Sequence, residues 1–312
     1  MDIVSRVCDI YENNVAFAFN GGKESDIVLN MIRQISHKIK IYYVRDKNDF
    51  PEISEHVEYM SAKYNLNLII YDDMKNAIID LKDNYGVKAI LTGIRRSDPA
   101  GITSHFQKSD KNWPEITIVS PLLNWEYKDV WEYILTNDIE YCELYNRGYT
   151  SIGVIGNTFP NYHLFDGDSY DHASKLKDGG SERQGRIPFL LPIELSGKVI
   201  KGKGLANSVL GIPTANLNTD NKDVGIIEGV YIGYTYVNNN RYQFVMSCGK
   251  NPQFGDQSFE VHIIDMPYMY IYDIILNITI TDYIRPMEKY SNIDELKTAI
   301  CKDIQIARKM RK

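Results

Sequence analysis

Hydrophobic rhythm changes character along this chain, and the change divides it in two. Up to about residue 138, short apolar and β-branched runs alternate with segments of helical spacing. The runs NVAFAF, IKIYYV, LNLIIYD, KAILTGI and ITIVSPLL have the length of strands. Between them Val28, Met31, Ile32 and Ile35 recur at helical intervals, as do Tyr127, Val130, Trp131 and Ile134. Ile53, Val57 and Met60 mark another helix. Alternation of this kind predicts an α/β fold, a mostly parallel, Rossmann-like sheet covered by helices on both faces.

The rhythm breaks at DGDSYDHASKLKDGGSERQGR, residues 166–186, a polar stretch that reads as a linker or mobile loop. Beyond it period two dominates. Leu276, Ile278 and Ile280 alternate with Asn277, Thr279 and Thr281, and GVYIGYTYV and RYQFVMS flank NNN at 238–240, a hairpin signal. Several short strands with turn signals predict a small antiparallel β-barrel. A last helix comes after them, with Ile293, Leu296, Ile300, Ile304 and Ala307 on one face. SNID, from Ser291 to Asp294, resembles its capping box, and the basic end ARKMRK suits its dipole. The expectation is two domains, 1–190 and 191–312, without internal repeats.

A length of 312 residues and 44% apolar content support sizeable cores. No run approaches a membrane span, and MDIVSRVCDI lacks the regions of a leader peptide. Cys8, Cys142, Cys248 and Cys301 lie far apart with no CxxC pair, which argues against a zinc site or a disulfide framework. A net charge of −6 without a basic block argues against nucleic acid as a partner. The expected protein is soluble and cytoplasmic, with neither membrane nor nucleic acid among its partners.

Two glycine-bearing turns carry the chemical signal of the first half. FAFNGGKES, residues 17–25, ends a strand in two glycines and opens a helix. Backbone N–H groups at a helix N-terminus favour an anion, glycines allow close approach, and Lys23 and Ser25 add a charge and a hydroxyl. The spacing is neither Walker A nor GxGxxG. By itself the segment serves equally as a tight turn with Lys23 in solvent. LTGIRRSDPAG, residues 91–101, comes after another strand and would lie at the same carboxyl edge. There Arg95 and Arg96 offer planar donors and Asp98 a carboxylate; the plain alternative is a solvated Asp-Pro turn.

These motifs continue into PLLNWEYKDVW, CELYNRGYTSIG, NTFPNYHL and ERQGR at 182–186. In order and spacing over residues 15–186 the series resembles the eukaryotic-type FAD synthases, PP-loop enzymes related to PAPS reductase. The resemblance implies that Asn20, Gly21, Gly22, Lys23, Glu24 and Ser25 hold ATP. It implies that Lys23, Arg95 and Asp98 serve adenylyl transfer, and that Arg95, Asp98, Arg183 and Arg186 serve the flavin phosphate. Trp113, Trp125 and Tyr149 are either flavin-lining or core, with Trp125 the favoured flavin contact. Glu24 departs from the family's Asp by one methylene.

The second half carries KGKGLANSVLGIPTAN, SCGKNPQF, EVHI and DYIRP. Glu260 and His262 stand two apart on a strand and share a face. The hydroxyl and amide of PTAN are hard oxygen donors suited to Mg²⁺. Together the segments resemble riboflavin kinase, a six-stranded barrel family, across residues 195–310. The resemblance implies a phosphate loop shaped by Gly202, Gly204, Gly211 and Pro213, with Thr214 and Asn216 binding Mg²⁺ and ATP. Glu260 becomes the general base, and Asn251 and Arg285 lie on the flavin side. Leu205, Ala206, Tyr270, Asp273 and Met287 depart from the family pattern.

The two resemblances predict an enzyme that converts riboflavin to FMN and FMN to FAD, using ATP and Mg²⁺, with apo-flavoproteins as acceptors of the product. One rival is a sulfur-pathway enzyme of the PAPS reductase type, which needs a nucleophilic cysteine in a tail; residues 160–192 contain none. A second rival is a flavin carrier with a degenerate kinase half.

Overall fold

The computed structural model describes residues 3–35, 38–200, 214–219, 225–250, 257–267 and 271–310. They fall into two compact units, Met1–Tyr145 and Asn146–Lys312.

The first unit is built on a six-stranded sheet. Its strands are β1 (Val15–Ala18), β2 (Lys40–Val44), β3 (Leu68–Tyr71), β4 (Ala89–Leu91), β5 (Phe106–Lys108) and β6 (Thr117–Val119). Their order is β3-β2-β1-β4-β6-β5, parallel except for β5, which runs antiparallel to β6 at the edge. Val15, Ala16 and Phe17 of β1 are all fully buried, as expected of a strand covered on both faces. Around the sheet lie α1 (Ile3–Tyr11), α2 (Lys23–Arg33), α3 (Pro51–Tyr64), α4 (Met74–Asp83) and α5 (Tyr127–Thr136). Ala77, Ile78 and Leu81 of α4 pack with Ala16, Tyr42 and Ile90. Three elements escape the sequence reading. α1 occupies the opening segment, α4 falls outside the marked helical spacings, and β5 is three residues with no apolar run. The strand order reverses between β1 and β4, so the turns after these two strands share one carboxyl edge.

The second unit opens with a long coil that is not a mobile linker. It is wound into short 3₁₀ turns at Tyr162–Leu164, Ala173–Lys175 and Gly179–Ser181. Its polar side chains build the turns: Asp178 accepts from the N–H of Gly180 and the hydroxyl of Ser181, and Asp166 from the N–H groups of Asp168 and Ser169. Its apolar residues pack on the barrel and its helix. Phe159, Ile187 and Leu191 join the barrel core with Tyr231, Phe244 and Met246, and Tyr162 and Phe165 join Val230, Ile232 and Ile306. This packing brings the compact unit's start to Asn146, upstream of residue 190.

The barrel strands are β7 (Ile193–Ile200), β8 (Ala215–Asn218), β9 (Gly229–Val237), β10 (Asn240–Lys250), β11 (Gln257–Ile263) and β12 (Ile275–Arg285). They close in the order β10-β11-β8-β7-β12-β9, with every pair antiparallel. Asn238 and Asn239 turn the hairpin between β9 and β10 with φ of 50° and 64°, the left-handed pair that asparagine tolerates. The last helix, α6 (Ile293–Lys309), starts one residue later than the sequence pattern suggests. Asn292 is its cap, accepting from the Glu295 N–H at 2.9 Å, while Glu295 accepts from the Ser291 N–H. Its buried face is Ala299, Asp303, Ile306 and Ala307, and Ile293 is exposed. The face is rotated toward Asp303 because that carboxylate takes a buried bidentate pair from Arg285, at 3.0 and 2.7 Å.

All four cysteines are free thiols. Among the described residues no helix is long and apolar enough to cross a membrane.

Candidate nucleotide and flavin sites

The chain leaves β1 through Asn20, Gly21 and Gly22 and enters α2 at Lys23. Gly21 has a φ of 70°, and a Cβ there would stand 3.0 Å from Val57 Cγ2 on α3. Only glycine suits both demands. The amides of the turn are held by side chains. Asn20 Oδ1 accepts from the Gly22 N–H at 3.1 Å, and the phenol of Tyr145 accepts from the Lys23 N–H at 3.0 Å. The Ser25 hydroxyl donates back to the Gly22 carbonyl at 2.8 Å. The turn is therefore fixed in shape before any anion reaches it.

Lys23 is not a solvated surface lysine. It is 2% exposed, and its ammonium lies 5.3 Å and 5.5 Å from the ring centroids of Tyr127 and Tyr145. Glu24 Oε1 sits 3.1 Å from Lys23 Nζ and 3.1 Å from Arg95 Nε. One carboxylate oxygen thus joins the two cations delivered by the β1 and β4 turns. The extra methylene of Glu24, relative to an Asp, is what reaches both.

The β4 turn approaches α2 closely at Gly93, where a Cβ would lie 2.8 Å from Glu24 Cβ and 3.1 Å from the Ser25 nitrogen. Asp98 folds that turn: its Oδ2 accepts from the Arg95 N–H at 2.9 Å, and its own N–H donates to the Arg95 carbonyl. Arg95 is buried. Arg96 is exposed and donates to the Thr103 carbonyl and to Asn124 Oδ1. Trp125, next to Asn124, is half-buried and packs edge-on against Tyr133 at 5.3 Å; Trp113 is exposed.

Behind the turn, Asp26 and His56 form a buried pair, with Nε2 to Oδ1 at 3.0 Å. Burial pushes the Asp26 carboxyl up to about 6, even though the His56 hydrogen bond and charge pull it down.

In the second unit Arg183 and Arg186 lie together. Arg183 Nη1 donates to Ser151 Oγ at 3.3 Å. The Arg186 guanidinium lies over Gly153, where a Cβ would stand 2.2 Å from Nη2. Burial and the neighbouring Arg183 charge push Arg186 down to about 10, and its buried Nε has no hydrogen-bond partner among the described residues. Two crowded guanidiniums of this kind suit an anion. Asn161, fully buried, locks the surrounding coil by donating to Thr150 Oγ1 and the Ser181 carbonyl.

On the barrel, β11 places Glu260 opposite Asn216 of β8 and opposite Ser247 of β10. Directly opposed residues share a face with Cβ atoms ~5 Å apart. Phe259 and Val261 point into the core and Glu260 is exposed, so this row lies on the outside of the barrel. The donors of Thr214, Asn216 and Glu260 are all hard oxygens, which fits Mg²⁺. Among the described residues no cluster of three His, Cys, Asp or Glu side chains is placed to hold a metal. Gly202, Gly204, Gly211, Pro213 and Asn251 lie outside the described residues, as do Leu205, Ala206 and Tyr270. Arg285, placed on the flavin side by the family resemblance, is engaged within the second unit. It is buried, its Nε and Nη2 donate to Asp303, and its Nη1 donates to the Pro286 carbonyl at 3.2 Å. Met287 is exposed, and Asp273 pairs with Lys198 at 2.8 Å.

The riboflavin kinase family model matches residues 190–311, and that of the phosphoadenosine phosphosulfate reductase domain matches 14–82 and 74–160. A probable FAD synthase of Schizosaccharomyces pombe is 38% identical over 194 residues, 56% of this chain and 73% of that protein. A riboflavin kinase of Mus musculus is 35% identical over 125 residues, 38% of this chain and 81% of that protein. The chain belongs to the FAD synthase and riboflavin kinase families. Its fold agrees with a solved yeast FAD synthetase in complex with FAD, with a TM-score of 0.52 at 26% identity over 59% of this chain and 86% of that one. The chain spans 39% and 38% of the length of two nematode relatives named probable FAD synthase.

Among FAD synthase motifs the sequence reading singles out the cations and misses what holds them. Tyr145 lies 122 residues from Lys23 in the chain. Gly93, Asn161 and the Asp26–His56 pair are equally silent in sequence. Gly93 stands inside LTGIRRSDPAG and Tyr145 inside CELYNRGYTSIG, so their positions were the available signal.

Proposed function

We propose that this chain makes FAD from riboflavin in two ATP-dependent steps. The observation that carries the first-half assignment is the meeting of Lys23 and Arg95 on one oxygen of Glu24 at the carboxyl edge of the sheet. A triphosphate placed on the Asn20–Lys23 turn meets both cations at once. There an FMN phosphate oxygen attacks the α-phosphorus, the bond to the bridging oxygen breaks, and pyrophosphate leaves. Little more than alignment and charge neutralisation is required. Lys23 and Arg95 are assigned to the phosphates, and Asp98 to holding the turn that presents Arg95. Arg183 and Arg186 are assigned to the flavin phosphate by the family resemblance, and the buried Arg186 Nε, without a hydrogen-bond partner among the described residues, suits an anion.

In the kinase step Glu260 accepts the proton of the riboflavin 5′-hydroxyl, whose oxygen attacks the γ-phosphorus as ADP leaves. The cross-strand neighbour Asn216 and the preceding Thr214 would hold Mg²⁺ with the nucleotide phosphates. When bound, that ion neutralises phosphate charge. The functional division is assigned near residue 190, where the riboflavin kinase match begins. The four free thiols suit a cytosolic setting, with apo-flavoproteins taking up the product.

The test is incubation of purified protein with riboflavin, Mg²⁺ and ATP, with timed chromatography of the flavins. FMN should appear first and FAD after it. Formation of neither would refute the assignment, and FMN alone would refute its first half.

A further inference from the structure

The buried tyrosine behind the phosphate turn carries chemistry that capping leaves unused. Tyr145 is 1% exposed, and its oxygen accepts from the Lys23 N–H at 3.0 Å. The same oxygen lies 3.9 Å from the point where a Cβ on Gly22 would stand, so the hydroxyl faces the turn itself. A phenol has a hydrogen to donate as well as lone pairs. Burial, with the Glu24 carboxylate nearby, holds its pKa well above the ordinary range, so the hydrogen stays on at neutral pH. Among the described residues no acceptor takes that hydrogen. A buried donor without an acceptor is costly, and the cost is recovered by a group with anionic oxygens. The ring is held against turning away: Trp131 and Tyr141 pack edge-on at 5.4 and 6.2 Å, and the Tyr145 N–H donates to the Cys142 carbonyl.

We propose that Tyr145 is a further nucleotide-binding residue of the adenylyl-transfer site: its hydroxyl donates to a phosphate oxygen of the triphosphate while its oxygen keeps the Lys23 amide in place. This rests on the FAD synthase reading of the Asn20–Ser25 turn. The phenol bridges backbone and substrate, so its loss weakens the nucleotide specifically rather than the flavin.

The experiment compares the full chain with Tyr145→Phe in two separate reactions, FMN to FAD and riboflavin to FMN. Loss of a hydrogen bond to a charged group predicts an ATP KM for FAD formation raised roughly ten- to hundredfold. The FMN KM in that reaction, and the ATP KM of riboflavin phosphorylation, should stay within about twofold. An unchanged ATP KM would overturn the proposal. A lowered one would also overturn it, because the phenol would then compete with phosphate for the Lys23 amide. If the unaltered protein makes no FAD from FMN, the functional reading itself fails, an outcome distinct from either. Should Tyr145→Phe lose the native tryptophan emission, Tyr145→Gln decides. Its amide offers acceptor and donor together; an ATP KM within about tenfold of the unaltered protein supports the role, and a larger loss refutes it.

Discussion

Replacing Asp26 by Asn should make the first unit more stable, and increasingly so as pH rises. Asp26 is 1% exposed, and burial moves its carboxyl from 3.8 to about 6 in the folded state. The raised value means that folding favours the protonated acid. Below pH 3.8 both states carry the proton and the shift has no effect; as pH climbs through about 6 the folded state must ionise a buried group. The shift is about 2 pH units, worth about 3 kcal/mol at 1.36 kcal/mol per unit. Asn cannot ionise, and its amide, with an acceptor and a donor, can pair with His56 Nε2 in either tautomer. The stability difference between Asp26→Asn and the unaltered chain should therefore grow by about 3 kcal/mol between pH 4 and pH 8. Glu24 and Glu140 also push the carboxyl up, and His56 pulls it down. In a His56→Gln background the growth should be steeper. Urea titrations monitored by tryptophan emission read this unit alone, because Trp113, Trp125 and Trp131 are the only tryptophans and all lie within Met1–Tyr145. A difference that stays constant across that pH range would refute the reasoning.

Lys23→Ala should abolish FAD formation from FMN while riboflavin phosphorylation continues, and Glu260→Gln should do the reverse; chromatography of both reactions checks the pair, and equal loss of both activities in either variant would contradict separate sites. Glu24→Asp removes the methylene that lets one oxygen reach both Lys23 and Arg95, so the transferase kcat/KM should fall, by roughly tenfold for one charge-assisted contact; an unchanged rate would show that the clamp contributes nothing, and a raised one that it hinders the reaction. Asp303→Ala strands a buried Arg285 guanidinium and should cost about 3–5 kcal/mol in thermal or urea unfolding of the second unit; a loss below about 1 kcal/mol would mean that water reaches the arginine.

Much of the architecture was legible because its signals are local. Alternating strand and helix spacing marked β1, β2, β3, β4 and β6 of the sheet, and period two with the Asn238–Asn239 turn marked the barrel. Boundaries and exceptions were hidden where a distant contact overrides the local pattern. The α6 face turns toward Asp303, a residue whose charge reads as exposed until Arg285 is placed beside it. The coil at 166–186 lacks apolar periodicity because aspartate-capped turns, rather than a regular element, organise it. At the first-half site the cations announced themselves within glycine motifs. Their supports did not: a tyrosine in a motif and a tyrosine in a core are written alike, and only the distance of 3.0 Å to the Lys23 amide separates them.

The coil that carries Arg183 and Arg186 is also insulation for the barrel. Phe159, Tyr162, Phe165 and Ile187 lie against its strands and against α6, so a fragment beginning at residue 191 would expose greasy walls to water and tend to aggregate. A cut at the family border would leave Arg183 and Arg186 with the first fragment but strip the barrel of that lining. The segment between the two family matches is therefore part of the barrel's own core rather than a dispensable connection.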